Sequence, residues 1–139
     1  STLLEFEMDA QQIPFPIYGK ISKETTDLLI VASDYNKNKL PAEISDRNTV
    51  DQREIQTLAM LVTSRLLWVL SILLYQIAKD AGEDQIEKND IDKDQEAIAI
   101  LSKIGGYEEL NLPTGLEKLL KQSHSLFIRA MRQQCFIGN

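Results

Sequence analysis

Few residues in this chain have the types and spacing that catalysis requires. The sequence holds one histidine, His124, and one cysteine, Cys135, eleven positions apart. That separation prevents them from being neighbours on one helix, which argues against a local thiolate–imidazole pair. His124 also lacks an evident partner to orient it as a general base, so we interpret it as a packing or surface residue. A zinc site would need carboxylates for most of its ligands. We therefore predict no metal, no cofactor and no enzymatic activity.

The acidic segment 83–96 contains a partial calcium-binding pattern. Asp90, Asp92 and Asp94 match positions 1, 3 and 5 of an EF-hand loop. However, the turn position that requires glycine is Gln95, and the twelfth position, which requires a bidentate glutamate, is Leu101. We interpret the segment as a solvated acidic loop.

Arg65 stands out because it lies inside an apolar stretch. If it is buried, we expect a carboxylate partner, since an uncompensated buried charge is strongly destabilising. A structural ion pair, or a side chain that reaches the surface from the helix boundary, is the simpler interpretation. An anion contact in a cleft is the functional alternative.

The last predicted helix carries a line of basic residues on an acidic protein, whose net charge is −6. On a helical wheel these residues fall within about 80°, opposite the apolar side. Such a line is usually only solvated, but it could also contact nucleic-acid phosphates, an acidic partner or the acidic loop of another copy. We call it the basic stripe; it consists of Lys118, Lys121, Arg129 and Arg132.

The element that must position these residues is the stretch 58–78, which is apolar apart from a few polar side chains and Arg65. Its length is sufficient to cross a membrane, but a cation near mid-bilayer costs about 2.5–3.5 kcal/mol. The flanks carry both signs of charge, with no cationic bias to orient an insertion. We therefore predict a buried core helix and no membrane association. Because residues 66–78 are apolar on all sides, we expect them to be covered on all sides.

Periodicity and capping residues predict an all-α, four-helix bundle-like domain packed around that central helix. Thr49 with Gln52, and Thr114 with Glu117, have the spacing of capping boxes, and Gly82 is a natural C-terminal stop. The predicted helices span 22–36, 50–81, 94–104 and 115–134.

Residues 1–20 are predicted to form an extended N-terminal arm before a single helical domain over 21–139. In the arm Ile13, Phe15 and Ile17 alternate with prolines, which is typical of an edge strand or a polyproline-like segment. The arm either packs on its own helices or docks on another subunit.

These observations favour a non-catalytic helical interaction or assembly subunit that presents helical surface to protein partners. A small helical subunit of a nucleoprotein complex, using the basic stripe, is the alternative; the net charge of −6 favours the first. One cysteine and no visible secretory signal predict a cytoplasmic protein. The long central helix also predicts a homodimer or an obligate complex with another protein, with part of that helix or the arm at the contact.

Overall fold

The computed structural model describes residues 16–82 and 95–137, with side chains for residues 19–82 and 95–132. These ranges contain helices and no strand, so the predicted all-α class is confirmed. The helices, in chain order, are α1 (Pro16–Asn38), α2 (Leu40–Glu43), α3 (Thr49–Asp80), α4 (Gln95–Ser102), a 3-10 helix (Glu108–Leu110) and α5 (Thr114–Ile137).

The long helix α3 is the centre of the fold, as predicted. Its 32 residues make a rod of about 48 Å. The packing against α5 is the most extensive, followed by the packing against α1, while α4 touches both α3 and α5. The core therefore lies where α1, α3 and α5 meet. The fully buried side chains there include Ala32, Ile55, Val62, Leu66, Val69, Leu116 and Phe127.

Helix α1 begins earlier than the predicted residue 22. Pro16 is its first residue, a position where the missing N–H is not needed and the fixed φ of proline already suits a helix. The predicted extended arm is therefore wrong for residues 16–20, and Ile17 belongs to α1. Ile13 and Phe15 lie outside the described residues, as does the acidic segment with Asp90, Asp92 and Asp94.

The N-terminal cap of α3 also differs from the prediction. Asn48 is the capping residue, and its side-chain oxygen accepts a hydrogen bond from the Asp51 backbone N–H at 2.8 Å. Thr49 is the first helical residue. The Gln52 side-chain amide donates to the Arg47 carbonyl at 2.8 Å instead of completing a capping box with Thr49. Asparagine and threonine both cap helices well, so composition alone could not distinguish the two neighbours.

Glycines end α3 and follow α4. Gly82 has a φ of +87°, and its N–H donates to the Lys79 carbonyl at 3.1 Å, which confirms the predicted stop. Gly105 and Gly106 also have positive φ, but α4 ends earlier, at Ser102. Side chains from α3 and α5 bind the carbonyls at and just beyond the end of α4.

Candidate interaction surface

The guanidinium of Arg65 is buried, with 2% of the residue exposed, and its hydrogen-bond partners are not carboxylates. Its Nε donates to the Leu101 carbonyl at 2.7 Å, and one terminal nitrogen donates to the Lys103 carbonyl at 2.6 Å. The other terminal nitrogen donates to the Leu120 carbonyl at 3.0 Å and to the Ser123 hydroxyl at 3.2 Å. The predicted carboxylate partner is therefore wrong.

Backbone carbonyls replace the carboxylate for a physical reason. The last carbonyls of a helix have no intrahelical partner and carry the negative end of its dipole, so they bind a cation well. Arg65 binds the Leu101 carbonyl in the last turn of α4, the Lys103 carbonyl just beyond it and the Leu120 carbonyl inside α5, and thereby joins three helices. Burial lowers the pKa of Arg65, while the nearby Tyr107 acts in the opposite direction.

His124 contributes to the same junction from α5. Its Nε2 lies 3.0 Å from the Ser102 carbonyl, which only accepts, so Nε2 is the donor. Together Arg65 and His124 bind the carbonyls of residues 101, 102 and 103 at the end of α4. This places His124 in a packing role, in line with the interpretation from the sequence. The sequence holds no signal for these partners, because every residue has a carbonyl.

Arg47 is a second arginine that binds backbone carbonyls, and the sequence did not predict this contact. Its two terminal nitrogens donate to the carbonyls of Leu110 at 2.6 Å and Asn111 at 2.7 Å. Asn111 is the one described non-glycine residue with positive φ, at 51°, and it ends the 3-10 helix. Arg47 thus attaches the start of α3 to the turn that leads into α5.

The basic stripe lies on α5, but two of its four cations are paired. Arg129 contacts Glu24 of α1 at 2.7 Å, and Lys121 contacts Glu117 at 3.2 Å. Lys118 and Arg132 are exposed and have no carboxylate partner within the described residues. The structure therefore places the four residues on one helix without making them a continuous positive surface.

Two of the concave surfaces of the described residues lie away from α3's exposed side or hold acidic residues, and they contain few of the predicted site residues. A groove of about 450 Å³ between α1 and α5 has Leu28, Val31 and Leu126 beside the Glu24–Arg129 ion pair. A second, of about 470 Å³, is acidic, with Asp51, Glu54, Glu108 and Glu109 among its lining residues. Among the described residues no group of three or more His, Cys, Asp or Glu side chains could hold a metal ion.

The side of α3 that faces away from the core is apolar and exposed. Met60, Leu67 and Leu74 are spaced seven residues apart and are 68%, 51% and 67% exposed. At 100° per residue, Ser64, Ser71 and Ala78 fall within the same sector of about 80°. Both serines are exposed and Ala78 is half-buried. We call this surface the outer face; it consists of Met60, Ser64, Leu67, Ser71, Leu74 and Ala78.

The outer face carries no charge over about 27 Å of helix. Between Met60 and Ala78 the sequence has one charged residue, Arg65, which is buried on another side of α3. The described helices of the chain do not themselves cover residues 66–78 on all sides, because Leu67 and Leu74 lie at the surface. The seven-residue repeat of large apolar residues can be identified in the sequence. The sequence does not show which sector of the helix faces the core.

By length and composition alone, α3 is the one described helix that could cross a membrane, and 39% of its most apolar window is buried in the structure. Helices at the core of non-membrane proteins share these properties. Besides its apolar packing against α1 and α5, this helix is attached to α4 and α5 by the buried Arg65.

Comparisons with protein-family models, with curated proteins and with solved structures find no match.

Proposed function

We propose that this protein is a non-catalytic helical interaction or assembly subunit, which binds a protein partner through the outer face of α3. The observation that carries the proposal is the exposure of Met60, Leu67 and Leu74 on an uncharged helical sector. Contiguous apolar surface bordered by polar residues is typical of protein–protein contacts. A helix of this kind docks through side chains at regular helical spacing.

The energy available from this surface sets the size of the contact. Full burial of a leucine or methionine side chain contributes about 1.5–3 kcal/mol, and these three are a half to two thirds exposed. Covering them therefore contributes roughly 3–5 kcal/mol in total. Association itself costs at least about 4 kcal/mol in lost freedom of motion. The partner must accordingly also contact the flanks of the outer face.

The groove beside Met60 is the flank best suited to such added contact. It has a volume of about 340 Å³ and lies between α3 and the end of α1 with the start of α2. Its lining is mainly apolar or uncharged, from Asn36, Leu40, Gln56, Ala59, Met60, Thr63 and Ser64. A partner that extends from the outer face into this groove meets no charged side chain there.

The proposal of a non-catalytic protein without cofactor rests on how the chemically versatile residues are used. His124 binds a backbone carbonyl, and the guanidinium of Arg65 is occupied by three carbonyls and a hydroxyl. Both residues are engaged in contacts within the bundle, which supports a structural role for each. The basic stripe supports nucleic-acid binding less well than its sequence suggests, because Arg129 and Lys121 are paired with carboxylates.

The experiment is co-purification of the tagged full chain with proteins from its source cells. Leu74→Glu places a charge on the outer face, and Ile30→Glu is the matched control on α1, since these side chains are 67% and 64% exposed. We expect the wild type and Ile30→Glu to bind a protein partner, and Leu74→Glu to lose it. The partner is either a different protein that co-purifies, or a second copy that is detected by sedimentation at millimolar concentration. Equal retention by both variants would contradict the proposal, as would a wild type that binds no protein.

A further inference from the structure

The outer face has an internal order that a general docking surface does not need. Its large side chains, Met60, Leu67 and Leu74, alternate with the small residues Ser64, Ser71 and Ala78, and each series repeats every seven residues. A repeat of seven keeps one helical sector in contact with a second helix over several turns.

This order makes the outer face complementary to itself in one orientation. If two copies of α3 run antiparallel about a two-fold axis near position 69, residue 60 faces 78, residue 64 faces 74 and residue 67 faces 71. Each pair then joins one large and one small side chain. In a parallel pair each residue faces its own copy, so large side chains pack against large ones and the facing small residues leave gaps. Close packing of helices requires ridges to enter grooves, which the antiparallel pair provides.

Electrostatics do not oppose this pairing. The outer face is uncharged, although each copy has a net charge of −6. The Ser71 hydroxyl donates to the Leu67 carbonyl of its own helix at 3.0 Å. Its hydrogen-bond donor therefore needs no water and stays satisfied when a leucine covers it.

We infer that the partner bound by the outer face is a second copy of this chain, which packs antiparallel across a two-fold axis. This inference rests on the proposed function and names its partner. An isologous pair of this kind is the commonest way in which a protein covers a self-complementary surface.

The area of the contact predicts the strength of the dimer. A sector about 27 Å long and about 10 Å wide covers roughly 270 Å² on each copy. Stable dimers bury about 800 Å² per partner, so this contact belongs to the weak, reversible class even when the groove beside Met60 adds to it. The dimer is therefore expected to form and dissociate with protein concentration.

Sedimentation velocity over a concentration series tests the pairing. We expect the wild type to shift from monomer to dimer as its concentration rises to the millimolar range. Leu67→Glu, at the centre of the outer face, should remain monomeric, and Ile30→Glu should behave as the wild type. A wild type that stays monomeric throughout overturns the inference, and so does a Leu67→Glu variant that still dimerises. Circular dichroism confirms that both variants are folded.

Cysteine cross-linking tests the orientation, in a Cys135→Ser background. Ser64→Cys mixed with Leu74→Cys should give a covalent dimer under mild oxidation, because these positions face each other in the antiparallel pair. Ser64→Cys alone should not, since its two copies are offset by roughly 15 Å along the axis, beyond disulfide reach. A dimer from Ser64→Cys alone would indicate parallel packing and overturn the inference.

The failure of this inference can be told from the failure of the proposed function. If the wild type is monomeric but loses a different protein partner through Leu74→Glu, the second copy is wrong and the proposed function stands. If the monomer instead co-sediments with neutral phosphatidylcholine vesicles, and Leu67→Glu abolishes this, the outer face binds lipid and both proposals are wrong.

Discussion

The replacement of Arg65 by lysine removes the planar fork that joins three helices and keeps the charge. The guanidinium makes four hydrogen bonds from three nitrogens. A single ammonium nitrogen cannot reach acceptors that are bound by three different nitrogens, so we expect at least two bonds to be lost. Each bond to a charged group contributes about 1.5–3 kcal/mol. Water can reach the exposed residue Lys103 and compensate its carbonyl, which reduces the expected cost to about 2–4 kcal/mol.

The matched control is Arg53→Lys, the same substitution at an exposed position of the same helix. Surface substitutions usually change stability by less than about 0.5 kcal/mol. Urea unfolding followed by far-ultraviolet circular dichroism measures both variants. For a chain of this size, the loss from Arg65→Lys corresponds to a drop in Tm of roughly 7–14 °C.

Hydrogen exchange locates the effect. The amides of α4 should exchange faster in Arg65→Lys, because the carbonyls of Leu101 and Lys103 lose their attachment to α3. An Arg65→Lys variant whose free energy of unfolding lies within about 0.5 kcal/mol of that of the wild type would refute the reasoning. It would mean that the fork to the end of α4 contributes no net stability.

Five further substitutions test other contacts by urea unfolding. Gly115→Ala should destabilise by about 1–2 kcal/mol, because its Cβ would lie 2.8 Å from Cε1 of the buried Tyr35 ring. A Cβ added at Gly19 would meet no atom within 4 Å, so Gly19→Ala should instead stabilise α1 by about 0.5–1 kcal/mol. Equal effects of Gly115→Ala and Gly19→Ala on stability would contradict this account. Asn48→Ala should lower the free energy of unfolding by about 1 kcal/mol, and Thr49→Ala should lower it by less, because Asn48 is the capping residue. The reverse order would indicate that Thr49 is the cap, as the sequence predicted. Burial and the hydrogen bond to Glu43 raise the pKa of Tyr35 in the folded protein. As the pH rises above about 10, the phenol therefore ionises in the unfolded chain before it ionises in the folded one, and the free energy of unfolding falls. Tyr35→Phe should reduce that fall by up to about 1.4 kcal/mol per pH unit, and an unchanged pH dependence would exclude Tyr35 as its source.

Much of the fold was predictable because helices are encoded locally. The 3.6-residue periodicity predicted the four principal helices, and Gly82 predicted where α3 ends. The errors occur where local signals compete. Pro16 alternates with apolar residues and suggested an extended arm, yet proline is equally suited to the first position of a helix. Helix α2 has four residues, too few to show a period.

The sequence by itself determined that α3 is long and apolar, that it contains one arginine, and that large and small residues repeat along it every seven positions. Only the tertiary structure decided how these features are used. Arg65 binds backbone carbonyls, which every residue has and no pattern of side chains reveals. The outer face became a surface because α1, α4 and α5 pack against the other sectors of α3. Which sector remains uncovered depends on the arrangement of neighbouring helices, and that arrangement is not encoded in the periodicity of one helix.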